Sequence, residues 1–319
     1  MRIAALAGGV GASKLLLGLA RAMDPRSLTI IVNTGDDLTL HGLEISPDLD
    51  IVTYTLAGVV NPETGWGFKN ETFFALQRLA AYGSADWFHL GDRDLATHIY
   101  RTEQLRKGMT LSQVADSVRR ALGVQARILP MSDQPIRTMI DTKQGWLSFQ
   151  EYLVKLRAKP AVRGIRFDGV EKAEAAPDVL EALGQADSIV ICPSNPLISI
   201  GPILAVKGVR GALRERRESV LAVCPIVRGR SLKGPSDRML TQMGLEASAV
   251  GVAKLYQDVF GTFLIDRADA SAQSFIEALG VKTVACPTVM RTTADKVRLA
   301  RTVLNHLPRR AAKARAQFA

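Results

Sequence analysis

Three cysteines in 319 residues, none at metal-ligand spacing from another, leave no material for a disulfide framework or a thiolate metal site. Cys192, Cys224 and Cys286 each precede a proline at what reads as a strand end, so buried, reduced thiols are expected. Long apolar runs are missing too. Stretches such as Ser188 to Cys192 fall far short of the roughly 20 residues a membrane helix needs, and no membrane partner is expected. Aromatic residues make up only 6%, and neither a zinc-finger spacing nor an aromatic RNA-binding signature accompanies the net charge of +10. Four of those ten charges, Arg309, Arg310, Lys313 and Arg315, fall in the last eleven residues, a basic tail expected to be disordered, so no nucleic-acid partner is implied. The remaining surplus suits anionic small molecules, or simply a solvated basic surface. Met1-Arg2-Ile3-Ala4 runs straight into a strand pattern with no room for a cleavable signal peptide, and a cytoplasmic protein is expected.

What is present is ample apolar material, 47% hydrophobic residues, enough for a full core. Strand-like runs at Ile3 to Leu6, Leu28 to Val32, Ile189 to Cys192 and Val220 to Cys224 alternate with helical patterns at Lys14 to Met23, Val179 to Leu183 and Ile203 to Arg214. Such alternation predicts an α/β fold: a Rossmann-like, mainly parallel sheet with helices on both faces. We assign it residues 1–50 and 123–308, closed by a helix around Thr293 to Leu307. Residues 51–122 carry helical periodicity in Glu71 to Tyr82, Leu95 to Gly108 and Leu111 to Leu122 with almost no strand, and read as a small helical insert over the ligand-binding edge. Thr110 with Gln113 three residues on is a capping-box start. Ile136 to Asp141 and Trp146 to Gln150 read as a hairpin or an antiparallel extension, with Gln144-Gly145 as the turn.

The chemistry concentrates behind the first two strands. The turn Gly8-Gly9-Val10-Gly11-Ala12-Ser13-Lys14 lacks the third glycine of a dinucleotide fingerprint, having Lys14 there, and is no P-loop because Ser13 precedes Lys14. Its place between strand and helix suits phosphate contact through Gly9, Gly11, Ala12 and Lys14, a plain tight turn being the alternative. Asn33-Thr34-Gly35-Asp36-Asp37 and Ser46-Pro47-Asp48-Leu49-Asp50 then set four carboxylates within fifteen residues, which repel unless a cation or donors compensate them. Hard divalent cations take oxygen ligands and bridge carboxylate to phosphate, so a diphosphate with Mg²⁺ is the first hypothesis. Asp86 to His98 packs aromatics, His89, His98, two further acids and Arg93 into thirteen residues; Arg93 suits a phosphate grip or an ion-pair staple. Pro193-Ser194-Asn195-Pro196 follows a strand and opens a helix, where Asn195 either reads a base edge or caps the helix. No nucleophile with an adjacent base emerges, which argues against covalent catalysis.

Together these motifs, with Gly65-Trp66-Gly67, Leu90 to His98, Leu129-Pro130-Met131-Ser132-Asp133 and Ser199-Ile200-Gly201-Pro202, resemble the 2-phospho-L-lactate transferase (CofD) family of coenzyme F420 biosynthesis over about residues 1 to 305. The resemblance implies transfer of a phosphorylated three-carbon acid (phospholactyl, phosphoenolpyruvyl or phosphoglyceryl) from a guanosine-diphosphate-linked donor to the ribityl hydroxyl of the deazaflavin Fo, with release of GMP. It further implies Mg²⁺ on Asp36 and Asp50, Fo contacts from Asp50 and His89, and a homodimer; with it, the donor contacts read from the residues are Gly9, Gly11, Ala12, Lys14, Arg93, Ser194 and Asn195. Some relatives carry lysine in place of His89. Two other readings are a non-catalytic nucleotide-sugar-binding regulator of the gluconeogenesis-factor type and a nicotinamide-dependent oxidoreductase, the latter disfavoured by Lys14.

Overall fold

Ile3–Ala7 is buried at every position and forms β1, inside a sheet whose strands show near-continuous apolar runs because both faces are covered. The computed structural model describes residues 1–307; the basic tail Arg309–Ala319 lies outside the described residues. Six further strands complete the sheet: β2 (Leu28–Val32), β3 (Arg127–Pro130), β4 (Ser188–Ile191), β5 (Val220–Val223), β6 (Thr262–Asp266) and β7 (Lys282–Cys286). Their order is β7-β6-β5-β4-β1-β2-β3, and every pairing is parallel. Alternate residues feed two apolar layers, Ala4, Leu6 and Ile31 on one face and Ala5, Ala7 and Ile30 on the other. The three cysteines are buried free thiols, as expected.

Strand order reverses between β1 and β4, and it is outside the carboxyl ends of strands at such a switch point that open α/β sheets hold ligands. The segments leaving those two strands are the glycine turn and Pro193-Ser194-Asn195. The turn is itself helical: α1 spans Gly9–Ala22, five residues earlier than the expected start at Lys14. Two close approaches demand glycine there. A Cβ on Gly11 would lie 2.4 Å from the Pro193 carbonyl oxygen, and one on Gly8 would lie 2.7 Å from Asp48 Oδ2.

Helices α2 (Pro47–Leu56), α3 (Phe74–Ala81), α4 (Asp92–Arg106) and α5 (Leu111–Ala121) make up the helical region, and the Thr110–Gln113 capping box is present. The boundary expected at 50/51 falls inside α2, whose apolar residues Leu49 and Val52 pack into the core beside the sheet. Arg137–Thr142 pairs antiparallel with both Gly145–Ser148 and Gly164–Asp168, so the expected hairpin is the first part of a three-stranded sheet. The helix expected over Ile203 to Arg214 is instead two, Gly201–Ala205 and Val209–Glu215, separated at Gly208, whose φ of +85° breaks helical geometry. Among the described residues no single helix is long and apolar enough to cross a membrane.

Helix α1 packs against the helix Thr293–His306 through Gly18, where an added Cβ would sit 2.2 Å from the Lys296 carbonyl oxygen. Gly18→Ala should therefore destabilise the fold by about 1–3 kcal/mol through forced separation of the two helices, despite alanine's better helix propensity. Urea unfolding checks this, and an unchanged or raised midpoint would show that the helices part without cost.

Candidate active site

The switch point opens into a cavity of about 770 Å³, within the usual range for small-molecule sites. One wall is the start of α1 with Lys14, a second is the acidic edge carrying Asp36, Asp48 and Asp50, and a third brings Trp66, Trp87, Phe88 and His89 from the helical region. Three of the four clustered carboxylates are buried, Asp36, Asp48 and Asp50 at 5% exposure each, while Asp37 is half-buried.

Each acid is compensated differently. Asn33 Nδ2 donates to Asp48 Oδ2 at 2.9 Å and Asn33 Oδ1 accepts from the Gly35 amide, which ties the two acidic turns together. Burial pushes the Asp48 carboxyl up to about 6 against the pull of Asn33 and the Gly9 amide. Ser46 Oγ donates to Asp37 Oδ2 at 2.8 Å, yet burial still pushes Asp37 up to about 8. Asp50 is gripped by both terminal nitrogens of Arg101, a buried guanidinium, with NH1 at 3.1 Å from Oδ2. Asp36 and Asp37 each keep a buried Oδ1 without a hydrogen-bond partner, and of the two only Asp36 lines the cavity. Burial followed by the charge of Asp48 holds the Asp36 carboxyl well above the ordinary value. Ionised, that carboxylate calls for a cation; without one the neutral form is favoured.

Beside Asp50, helix α4 presents Asp94, His98 and Arg101 on one face, the i, i+4, i+7 spacing that aligns side chains along a helix. Arg101 NH1 lies 3.2 Å from His98 Nδ1, and because arginine only donates, Nδ1 accepts and the ring proton sits on Nε2, 3.4 Å from Asp94 Oδ1. Tyr54 donates its hydroxyl to the same oxygen at 2.7 Å. Burial opposes ionisation of Asp94, but His98 and Tyr54 outweigh it and the carboxyl lies below its ordinary value. Asp50, Asp94 and His98 bring ligand atoms within 4.8 Å of one another, a donor set compatible with a divalent cation, although Arg101 already supplies positive charge there.

On the opposite side, the Gly8 amide donates to Ser194 Oγ at 3.3 Å, stitching the glycine turn to the β4 loop. The amides of Val10 and Gly11 open α1 and lack the intrahelical partners of later residues, which gives that end a fractional positive charge, while the Gly9 amide serves Asp48. Gly9 has φ +71°, a left-handed conformation that favours glycine.

Of the residues singled out from sequence, Gly9, Gly11, Lys14, Asp36, Asp50, His89, Ser194 and Asn195 all line this cavity. Ala12 and Arg93 do not. Ala12 is fully buried in the core under the sheet, one residue past the free amides. Arg93 is exposed at the start of α4 and donates to the Lys69 carbonyl, while the flanking Asp92 caps α3 through the Phe74 and Ala75 amides instead of pairing with it. Asn195 Oδ1 accepts from the Leu197 and Ile198 amides, so its capping role is realised. Arg101 went unrecognised in the sequence, although its spacing from Asp94 and His98 on a helix was the available signal.

Removing Arg101 would leave Asp50 as an uncompensated buried charge, so Arg101→Met should cost about 3–5 kcal/mol of stability. The double variant Arg101→Met/Asp50→Asn should regain much of that loss in denaturant titrations. A double variant no more stable than the single one would show that Arg101 acts through shape and not charge.

With this geometry in view, similarities to known proteins are specific. Residues 3–299 match the family described as 2-phospho-L-lactate transferase CofD. A phosphoenolpyruvate transferase of Streptomyces griseus is 44% identical over 310 residues, covering 95% of this chain and 98% of that protein. One from Mycolicibacterium smegmatis is 40% identical over 306 residues, covering 91% and 94%, and a 2-phospho-L-lactate transferase of Methanosarcina mazei is 38% identical over 297 residues, covering 93% and 97%. Among solved structures, a UPF0052-family protein of Bacillus halodurans superimposes with a TM-score of 0.60 at 15% identity, covering 95% of this chain and 98% of that one, a likeness of fold alone. Family match and relatives agree across nearly the full chain: it belongs to the 2-phospho-L-lactate transferase CofD family, the transferases of coenzyme F420 biosynthesis.

Proposed function

We propose that this chain transfers a phosphorylated three-carbon acid (phospholactyl, phosphoenolpyruvyl or phosphoglyceryl) from a guanosine-diphosphate-linked donor to the terminal ribityl hydroxyl of Fo, 7,8-didemethyl-8-hydroxy-5-deazariboflavin, giving F420-0 or its dehydro form and GMP. The observation that carries the reading is a single cavity joining the start of α1, the buried Asp36 carboxylate with its unpartnered Oδ1, and an aromatic wall. The names of the relatives, phosphoenolpyruvate transferase and 2-phospho-L-lactate transferase, support the same reaction class.

In this reading the donor diphosphate lies against Gly9 and Gly11 with Lys14 beside it, and Ser194 and Asn195 face the guanosine. Asp36 and Asp50 would hold Mg²⁺. Asp36 fits the ion, since its Oδ1 has no other partner; Asp50 fits by sharing its oxygens with Arg101, and Asp48 adds charge beside Asp36. Bound there, the ion would offset the charge of the diphosphate as the bond to the leaving phosphate breaks. The residues of the 51–122 helical region form the acceptor side, where His89 lies between the rings of Trp66 and Phe73 at 6.4 and 6.1 Å. Asp50 orients the ribityl hydroxyl or takes its proton. That oxygen attacks the phosphorus bearing the three-carbon group, and GMP leaves with the bridging oxygen. Positioning and charge stabilisation suffice, in line with the absence of a nucleophile–base pair from the motifs. The resemblance to the family supports a cytoplasmic homodimer.

Purified protein with each candidate donor should release GMP only when Fo is present, with the product's mass identifying the acid transferred; no transfer from any of the three donors would overturn the reading. Asp36→Asn should abolish transfer and leave the fold intact, and normal turnover at ordinary magnesium concentration would remove Asp36 from the mechanism. His89→Ala should weaken Fo binding by about 1 kcal/mol, as for one lost neutral hydrogen bond, while GDP affinity holds. Calorimetry separates the two ligands, and weakened GDP with unchanged Fo would reverse the two sides of the cleft.

A further inference from the structure

After β5 the chain forms a short hairpin, Ile226–Val227 against Arg230–Ser231, and then crosses the cavity as Leu232-Lys233-Gly234. Gly229 and Gly234, at φ +72° and +74°, bracket this strap. An added Cβ on Gly234 would meet nothing within 4 Å, and its carbonyl accepts from Ser231 Oγ at 2.7 Å, which shapes the turn. Lys233 Nζ donates to the Thr64 carbonyl at 2.9 Å, joining the strap to a loop of the helical region across the opening. That loop is seated on the glycine turn: a Cβ on Gly65 would lie 2.8 Å from Val10 Cγ1 and 3.6 Å from Lys233 Nζ.

Lys233 therefore stands over the first turn of α1, in the same cavity as Lys14. Among the described residues neither lysine has a carboxylate partner; Lys14 Nζ donates only to the Met290 carbonyl, at 3.3 Å. Two ammonium groups converge near the helix start with no carboxylate bonded to either among the described residues. The cost is visible at Lys14, whose pKa is lowered by burial and then by the charges of Lys233 and Lys296. A surface lysine bridging two loops would explain the Thr64 contact but not this convergence.

We infer that Lys233 is a donor-binding residue, which exchanges the Thr64 carbonyl for a phosphate oxygen and draws the strap over the diphosphate held at α1. The inference rests on the guanosine-diphosphate-linked donor proposed above. Charge-assisted hydrogen bonds to phosphate set its size: Lys233→Met should weaken GDP binding about tenfold or more. Lys233→Arg should stay within about threefold of wild type, because it keeps the charge. Affinity for Fo should be unchanged in both. In turnover the Met variant should raise KM for the donor more than it lowers kcat. Lys233 is exposed on a loop, so both variants should melt with wild type. Unchanged GDP affinity in Lys233→Met overturns the inference. So does an equal loss of GDP and Fo, which would make Lys233 a structural latch for the helical region. Wild-type protein that binds Fo but no GDP would instead remove the donor reading, and Lys233 with it.

Discussion

Burying several carboxylates at one sheet edge is the constraint on which the rest of the site depends. Burial favours their neutral forms, and each must be offset by donors or positive charge. Arg101 does this for Asp50, Asn33 and the Gly9 amide for Asp48, and Ser46 for Asp37. Asp36 alone among these groups both lines the cavity and keeps a buried oxygen with no hydrogen-bond partner. The protein thus holds most of the acidic edge rigid and leaves one carboxylate to be completed from outside.

The same economy shapes the opposing wall. Gly8 and Gly11 allow α1 to approach Asp48 and the Pro193 carbonyl closely, so that free amides and a buried acid face one space. Amide dipoles and lysines on one side and acids on the other form a field gradient suited to a diphosphate bridged by a cation. Residues of the helical region add a flatter, aromatic surface that neither charge cluster provides. Arg101 links the two halves, since it reaches from α4 to Asp50 and to the Glu44 carbonyl.

Much of this was legible in the sequence because its signals are local. β1 and β2 follow from short apolar runs, and the hairpin Arg137–Thr142/Gly145–Ser148 from alternation around a glycine turn. The capping box at Thr110 depends only on residues three apart and appears as expected. Local propensity misled at α1, where glycines suggest a loop; close packing against the β4 loop makes the glycines necessary and the segment helical. It misled again across Ile203 to Arg214, where a left-handed Gly208 splits one periodic pattern into two helices.

Sequence by itself determined the fold class, the glycine-rich segment after β1, the two acidic turns and the family, because each is written in contiguous residues or in their order along the chain. Only the tertiary structure decided which acid both lines the cavity and keeps an unpartnered oxygen. The groups that compensate the others, Arg101 for Asp50 and Asn33 for Asp48, lie 51 and 15 residues away and meet them only through folding. It likewise placed Arg93 outside the cavity and Lys233 across it, since the position of an exposed cation relative to a cleft depends on how separate loops pack and not on its neighbours in sequence.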